Sequence, residues 1–274
     1  MHARRAADAA DFLESTHALR GSDPVRMNVI GSVAEGVASG RRYERENWFV
    51  VEDAGRVVGA AVWTLPYKLV LGPMAVDAAR EVGRAASEVG ATVPGISGPE
   101  AECRAAAEGL GVRTRLGMRE RILVLRDYVA PPRVEGRPRR PRIADLGLMA
   151  RWYDDFARDA DTFIDDSRVT AAGNRTRTWF WEVDDVPVAM AGHAPIVSTP
   201  GGDVGRVGPV FTPADLRGRG YGTAVTAVVT EHLLPVVGTV MLYTDAGNPT
   251  SNAIYERLGY VHEHDIVELV PDPT

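Results

Sequence analysis

A chain of 274 residues with 45% hydrophobic and 25% charged side chains has the composition of a soluble globular protein of one large or two ordinary domains. Its net charge of −6 argues against a protein that coats nucleic acid, and no apolar run approaches the roughly 20 residues of a membrane span. The charged N-terminal stretch lacks a signal-peptide core, and Cys103, the single cysteine, excludes an intrachain disulfide or a cysteine zinc cluster, so a cytoplasmic protein without nucleic-acid or membrane partners is the simplest expectation.

In chain order, Asp8 to Leu19 reads as a helix, with Phe12, Leu13, Thr16 and Leu19 on one face, and Asn28 to Ala38 as a second. Trp48 to Glu52 and Val57 to Leu65 are strand-like runs joined through Asp53, Ala54, Gly55 and Arg56, a hairpin pattern. Lys68 to Met74 reads as a third strand, Val76 to Val89 and Glu100 to Leu110 as helices, and Arg121 to Leu125 as a strand. Tyr128 to Arg142 holds four prolines and five arginines, which predicts an extended, solvated linker at residues 131–142. The alternatives are a nucleic-acid arm, which the acidic net charge disfavours, or charge placed near a phosphate of a bound coenzyme.

Ile143 to Ala160 opens the second half as a helix, with Leu146, Met149, Ala150, Tyr153 and Phe156 on one face. Trp179 to Val183 and Val188 to Ile196 read as a hairpin, and Val207 to Thr212 as the next strand. The copies share landmarks. Trp48-Phe-Val-Val-Glu-Asp53 matches Trp179-Phe-Trp-Glu-Val-Asp184, and Leu71-Gly-Pro-Met74 matches Val207-Gly-Pro-Val210. The interval between landmarks is five residues longer in the second copy, and the excess lies at Ser198 to Gly205, a loop. Two copies of one fold are therefore predicted.

After Val207 to Thr212 comes a turn at Pro213, Ala214 and Asp215, then Arg217-Gly-Arg-Gly-Tyr-Gly222 and an apolar segment from Tyr221 to Leu234. Propensity favours a strand for that segment, since Val225, Thr226, Val228, Val229 and Thr230 are β-branched. Its phase favours a helix: Tyr221, Ala224, Val225, Val228, Val229 and His232 share a face at 3.6-residue spacing. Strand, glycine loop, helix is an arrangement that offers unpaired backbone amides to a phosphate. No Gly-Lys-Ser/Thr follows, which excludes a P-loop. A dinucleotide fingerprint lacks its third glycine, at Thr223, and too little chain follows Asp245 to repeat the unit. Downstream, Thr239 to Thr244 reads as a strand. Asn248, Pro249 and Gly259 delimit a helix, and Tyr260 to Val270 reads as a strand whose polar face carries His262 and His264. Two histidines without a third placed ligand predict a solvated face and no metal.

Arg217-x-x-Gly220-x-Gly222 behind a Val-x-x-Pro strand end resembles the acetyl-CoA loop of the GNAT N-acetyltransferase superfamily. Asn248-Pro-Thr-Ser-Asn252-Ala-Ile-Tyr255-Glu-Arg-Leu-Gly259-Tyr260 resembles that family's second motif, with Ser251 for Ala and Tyr260 for Phe. The resemblance covers roughly residues 145–270. It implies an α/β fold of two tandem acyl-CoA N-acyltransferase domains, each a mostly antiparallel sheet flanked by helices: a degenerate copy at 1–130, the linker, and a catalytic copy at 143–274. The first copy has neither the Gly-x-Gly loop nor the Asn-to-Tyr pattern.

The resemblance also implies roles. Acetyl-CoA is the cosubstrate, with no metal. Its pantetheine arm lies in a wedge where the strand at 207–212 splays from the one at 239–244, against Val210, Phe211 and Thr212. Its diphosphate rests on Arg217, Gly218, Arg219, Gly220, Tyr221, Gly222 and Thr223. Asn248 caps a helix and, in the family, also reaches the coenzyme; Asn252 lies one turn further along. Tyr255 is the general acid of the family, against the plain alternative of an aromatic packed beside Ile254 and Leu258. The acceptor is a small-molecule or peptide amine, and the protein a monomer or homodimer. The family's strand glutamate is missing, since Gly205-Arg-Val-Gly-Pro209 holds no carboxylate. Glu182, Asp184, Asp185 or His193 acting through water remain as bases. A tandem arrangement also resembles mycothiol synthase-like acyltransferases, which suggests a thiol-cofactor precursor as acceptor. A CoA-binding regulator without turnover is the remaining alternative.

Overall fold

The computed structural model describes residues 1–164 and 166–273. They divide into two compact units. One comprises Met1–Ile122, Val197–Gly202 and the chain from His264 onward; the other comprises Leu123–Ile196 and Asp203–Glu263.

The first unit opens on β1 (His2–Arg5), followed by the helices α1 (Ala9–Ser15), α2 (His17–Ser22) and α3 (Asn28–Ala38). The single helix expected over 8–19 is in fact two, because Thr16 leaves helical geometry at φ −95° and ψ 4°. Its hydroxyl bonds back to the Phe12 carbonyl at 2.7 Å, the local competition that makes threonine a poor helix interior. β2 (Arg45–Asp53) and β3 (Arg56–Leu65) form the predicted hairpin, turning on Ala54 and Gly55 at φ 47° and 76°. β4 (Leu69–Leu71), α4 (Val76–Ser87), β5 (Ile96–Gly98) and α5 (Glu100–Leu110) follow. β1, β2, β3 and β4 are antiparallel neighbours in that order. β5 then joins β4 in parallel.

The sheet is buried on both faces, which explains why Trp48 to Val51 reads as a continuous apolar run rather than an alternation. Phe49, Val51, Ala61 and Trp63 pack towards α4 and α5. Trp48, Val50, Ala60 and Val62 pack with Phe12, Ile30 and Ala34 of α1 and α3. The loop Val197–Gly202 is part of this unit: Val197 is buried and meets Gly31, and Pro200 packs on Gly21.

β6 (Thr114–Leu125) begins in the first unit and ends in the second. The second unit then repeats the order: β7 (Arg137–Arg139), α6 (Leu146–Asp159), α7 (Ser167–Asn174), β8 (Thr178–Val183), β9 (Val186–His193), β10 (Val204–Phe211), α8 (Tyr221–Leu233), β11 (Thr239–Asp245) and α9 (Pro249–Arg257). β12 (Tyr260–Pro271) returns to the first unit, where Val267–Leu269 pair with β5. β7, β8, β9 and β10 are antiparallel neighbours, and β11 joins β10 in parallel. The second hairpin turns on Asp184 and Asp185 at φ 47° and 62°, the same turn as in the first copy. The duplicated fold is thus present strand for strand, with three helices before the hairpin in the first copy and two in the second. β1, α7 and β7 went unread because each is short and lacks an apolar period.

The Pro/Arg stretch is not a solvated linker throughout. Arg137, Pro138 and Arg139 pair with Glu182, Trp181 and Phe180 as an edge strand, where proline forfeits no interior ladder bond. Its charge is answered locally. The buried Glu182 carboxylate binds Arg137 Nη2 at 3.0 Å and also Arg139, whose other nitrogens reach Asp145. Arg140 lies 3.2 Å over the Trp179 ring and donates to the Thr176 carbonyl.

α4 and α5 approach so closely that a Cβ on Gly83 would lie 2.1 Å from the Ala106 carbonyl oxygen, and one on Gly109 2.2 Å from that of Arg80. Alanine normally stabilises a helix interior relative to glycine by about 1 kcal/mol. Here the sign should reverse: Gly83→Ala is expected to lower stability by about 1–3 kcal/mol, read as a lower urea midpoint at unchanged slope.

Candidate functional site

In the second unit two parallel strands part company. β10 and β11 pair from Val204↔Thr239 to Val207↔Leu242, and no pair is formed beyond it. Gly208 and Pro209 interrupt the register with β9, which resumes at Val210↔Ala191 and Phe211↔Met190. β11 nevertheless runs on to Asp245. From Gly208 onward the β11-facing edge of β10 has no strand partner among the described residues, and an open edge of this kind is one along which another extended chain can pair. Val210, Phe211 and Thr212 lie along this stretch. The Thr212 carbonyl accepts Arg217 Nε at 2.9 Å.

Behind the strand the chain makes a short 3-10 turn at Ala214–Leu216 and enters α8 through Gly218 and Gly220, at φ 78° and 83°. Left-handed backbone here requires glycine. A Cβ on Gly218 would meet nothing within 4 Å. One on Gly220 would lie 2.8 Å from Val134 Cγ1, and one on Gly222 3.1 Å from Thr212 Oγ1. The first intrahelical bond runs from Ala224 N–H to the Gly220 carbonyl at 3.0 Å, so the amides of Tyr221, Gly222 and Thr223 stand before it, at the positive end of a 13-residue helix. Tyr221 is buried in the core and anchors this end. Arg219 Nη2 donates to the Asp215 carbonyl at 3.3 Å. Arg217 also binds the Asp159 carboxylate at the end of α6.

α9 supplies the other side chains. Asn248 is its N-cap, accepting Ser251 N–H at 3.1 Å, with Pro249 at the first helical position. Asn252, 7% exposed, donates to the carbonyls of Asp245 and Ala246 at 3.2 and 3.3 Å. Its Oδ1 is buried with no partner among the described residues. An orphaned buried acceptor beside the end of β11 suits an amide N–H of the kind a pantetheine chain carries. Tyr255 is 9% exposed and edge-on to Tyr260 at 6.2 Å. Its hydroxyl makes no hydrogen bond among the described residues, and burial pushes its pKa up to about 12. Tyr255, Tyr221, Val207 and Leu242 share one core cluster, with Val210 packed against it.

The basic side is less provided for. Glu182 is held below the usual carboxylate range by Arg139 and Arg137, and Asp185 binds Arg137 at 2.6 Å. His193 lies in the core, with Nδ1 2.7 Å from the Ala194 carbonyl and its ring 6.0 Å from Trp179 and 5.7 Å from His232. Desolvation holds its pKa below the ordinary value, so it is a neutral, packed histidine. In the other unit Cys103 is buried, which pushes its thiol pKa up and away from the nucleophilic thiolate. Among the described residues, no cluster of three or more His, Cys, Asp or Glu could hold a metal, and no helix is long and apolar enough to cross a membrane. Val134 and Asp159 were not legible as neighbours of the glycine loop, since each meets it only through folding.

The sequence profile of the acetyltransferase (GNAT) family matches residues 146–260. Mycothiol acetyltransferase of Streptomyces coelicolor is 43% identical over 70 residues, which is 23% of this chain and 22% of that protein, so the match spans about a fifth of the relative's length. A solved GNAT-family acetyltransferase from Colwellia psychrerythraea aligns over 99% of this chain and 100% of its own at a TM-score of 0.63 and 14% identity. A tandem GNAT protein from the clavulanic acid biosynthesis pathway aligns over 100% of both chains at a TM-score of 0.60 and 14% identity. The structural likeness establishes a tandem GNAT fold, and residues 146–260 of this chain are similar in sequence to the GNAT acetyltransferase family.

Proposed function

We propose that the second domain, taken as residues 143–274, is an acetyl-CoA-dependent N-acetyltransferase that passes the acetyl group directly to an amine. The observation that carries this reading is the parting of β10 from β11 after Val207, directly ahead of a glycine loop that caps α8. A pantetheine arm pairs as an added strand along Val210, Phe211 and Thr212. The diphosphate rests on the amides between Gly218 and Thr223, beside Arg217 and Arg219, and Asn248 and Asn252 border the arm from α9.

The chemistry then has a simple ledger of bonds. The acceptor amine attacks the thioester carbonyl, and the oxyanion that forms is met by a backbone N–H of the strand end Val210 to Thr212, a kind of donor whose loss raises a barrier by about 3–4 kcal/mol. The C–S bond breaks, and the departing thiolate takes a proton. Tyr255 donates it. Burial raises the energy of its phenolate, so it remains protonated and a hydrogen-bond donor at every working pH. The stretch of β10 before the loop, Gly205 to Pro209, holds no carboxylate to accept the amine proton, so an acceptor that is weakly basic, such as an α-amino group or an arylamine, suits this site best.

The first domain, residues 1–130, serves as a degenerate copy. Where β10 carries the glycine loop, β4 is followed by Ala75 and α4 with no Gly-x-Gly. A Cβ on Gly72 would lie 2.5 Å from Met27 Sδ and 3.2 Å from Ile30 Cδ1, so apolar side chains press on the strand end that corresponds to Gly208. A second reading of the acceptor, a thiol-cofactor precursor bearing an amine, is favoured by the 70-residue likeness to a mycothiol acetyltransferase.

Release of free CoA thiol from acetyl-CoA in the presence of an amine panel, including a thiol-bearing amine, tests the activity; binding without release would mark a regulator. Tyr255→Phe should lower kcat by about 100-fold or more while leaving the acetyl-CoA Kd nearly unchanged. Because the phenol titrates only near about 12, the rate should show no alkaline fall between roughly pH 7 and 10. Gly220→Ala, which forces a side chain into left-handed backbone against Val134, should cost about 1–2 kcal/mol in stability or coenzyme affinity, measured by thermal shift with and without acetyl-CoA.

A further inference from the structure

Arg217 divides its guanidinium between two acceptors. Nε donates to the Thr212 carbonyl at 2.9 Å, on the strand end, and Nη2 is taken by the Asp159 carboxylate. Asp159 is the last residue of α6, where the helix's own unpaired carbonyls carry partial negative charge. A carboxylate is misplaced there unless a cation holds it. Both side chains are about half exposed, at 53% and 46%, so water screens the pair and it is readily exchanged for a better partner. The amides that open α8 lie a few residues beyond Arg217, and a diphosphate drawn to them carries more negative charge than one carboxylate.

We propose that Asp159 competes with the coenzyme's phosphates for Arg217, so that coenzyme binding releases Asp159. The inference rests on the coenzyme reading of the loop given above. Nε keeps Arg217 on the Thr212 carbonyl throughout, so the guanidinium need only exchange its Nη2 partner. Asp159 thereby sets the coenzyme affinity of the site without touching the reacting atoms.

Coenzyme A titrated calorimetrically against the full chain and its variants at fixed ionic strength provides the test. Asp159→Asn should bind about three- to tenfold more tightly, as expected when one opposing charge is removed near a partly exposed site. Asp159→Ser should show the same gain, which guards against a folding defect peculiar to one variant. Arg217→Gln should bind more weakly, and the double variant Asp159→Asn with Arg217→Gln should match it. Unchanged or weaker binding by both Asp159 variants overturns the proposal, as does a gain that persists without Arg217. If the unaltered chain does not bind coenzyme A, the reading of the site falls and this inference with it; binding that ignores Asp159 overturns the inference alone.

Discussion

Two parallel strands that pair for four residues and then separate are the constraint on which the second unit turns. A parallel pair is normally closed along its length, because an open edge inside a domain leaves backbone groups without partners. Here the opening begins at Gly208, where the chain also breaks register with β9. The cost is contained by what borders it. Arg217 takes the Thr212 carbonyl, and Tyr221 fixes the start of α8 in the core. The loop then presents its amides at the end of the opening because Gly218 and Gly220 tolerate left-handed backbone there. Strand end, loop and helix are thus one mechanical piece.

The duplicated fold makes the comparison between copies informative. Both carry a hairpin on a tight two-residue turn and then a strand with a Gly-Pro pair, just past its end in the first copy and within it in the second, and a helix behind it. They differ at the strand end. In the first unit Met27 and Ile30 crowd Gly72 and the helix starts without a glycine loop; in the second, Gly218 faces open space. The same backbone plan therefore supports a packed joint in one copy and a cradle in the other, and the difference lies in a handful of side chains rather than in topology.

Charge in the second unit is arranged with similar economy. Glu182 is buried and would be costly alone, yet with Arg137 and Arg139 it fastens β7 to β8. The arginine-rich stretch is therefore an edge of the sheet. Proline density and five cations pointed to solvent because those signals report local backbone preference and net charge, and neither registers a carboxylate waiting on a strand more than forty residues later.

Periodicity and turn chemistry were enough to settle much of this protein from its letters. The helical phase of Tyr221 to Leu234 prevailed over its β-branched residues, because a 3.6-residue stripe has to face a core whatever the intrinsic propensities are. The glycine spacing at 218, 220 and 222 and the Asn248-Pro249 start of α9 were likewise legible, since each is a local backbone requirement. Only the tertiary structure decided the break at Thr16, the pairing of β7, the press of Val134 on Gly220, and the hold of Asp159 on Arg217. These depend on which distant segments meet, and contact between residues far apart in the chain is set by packing of the whole, which no local pattern encodes.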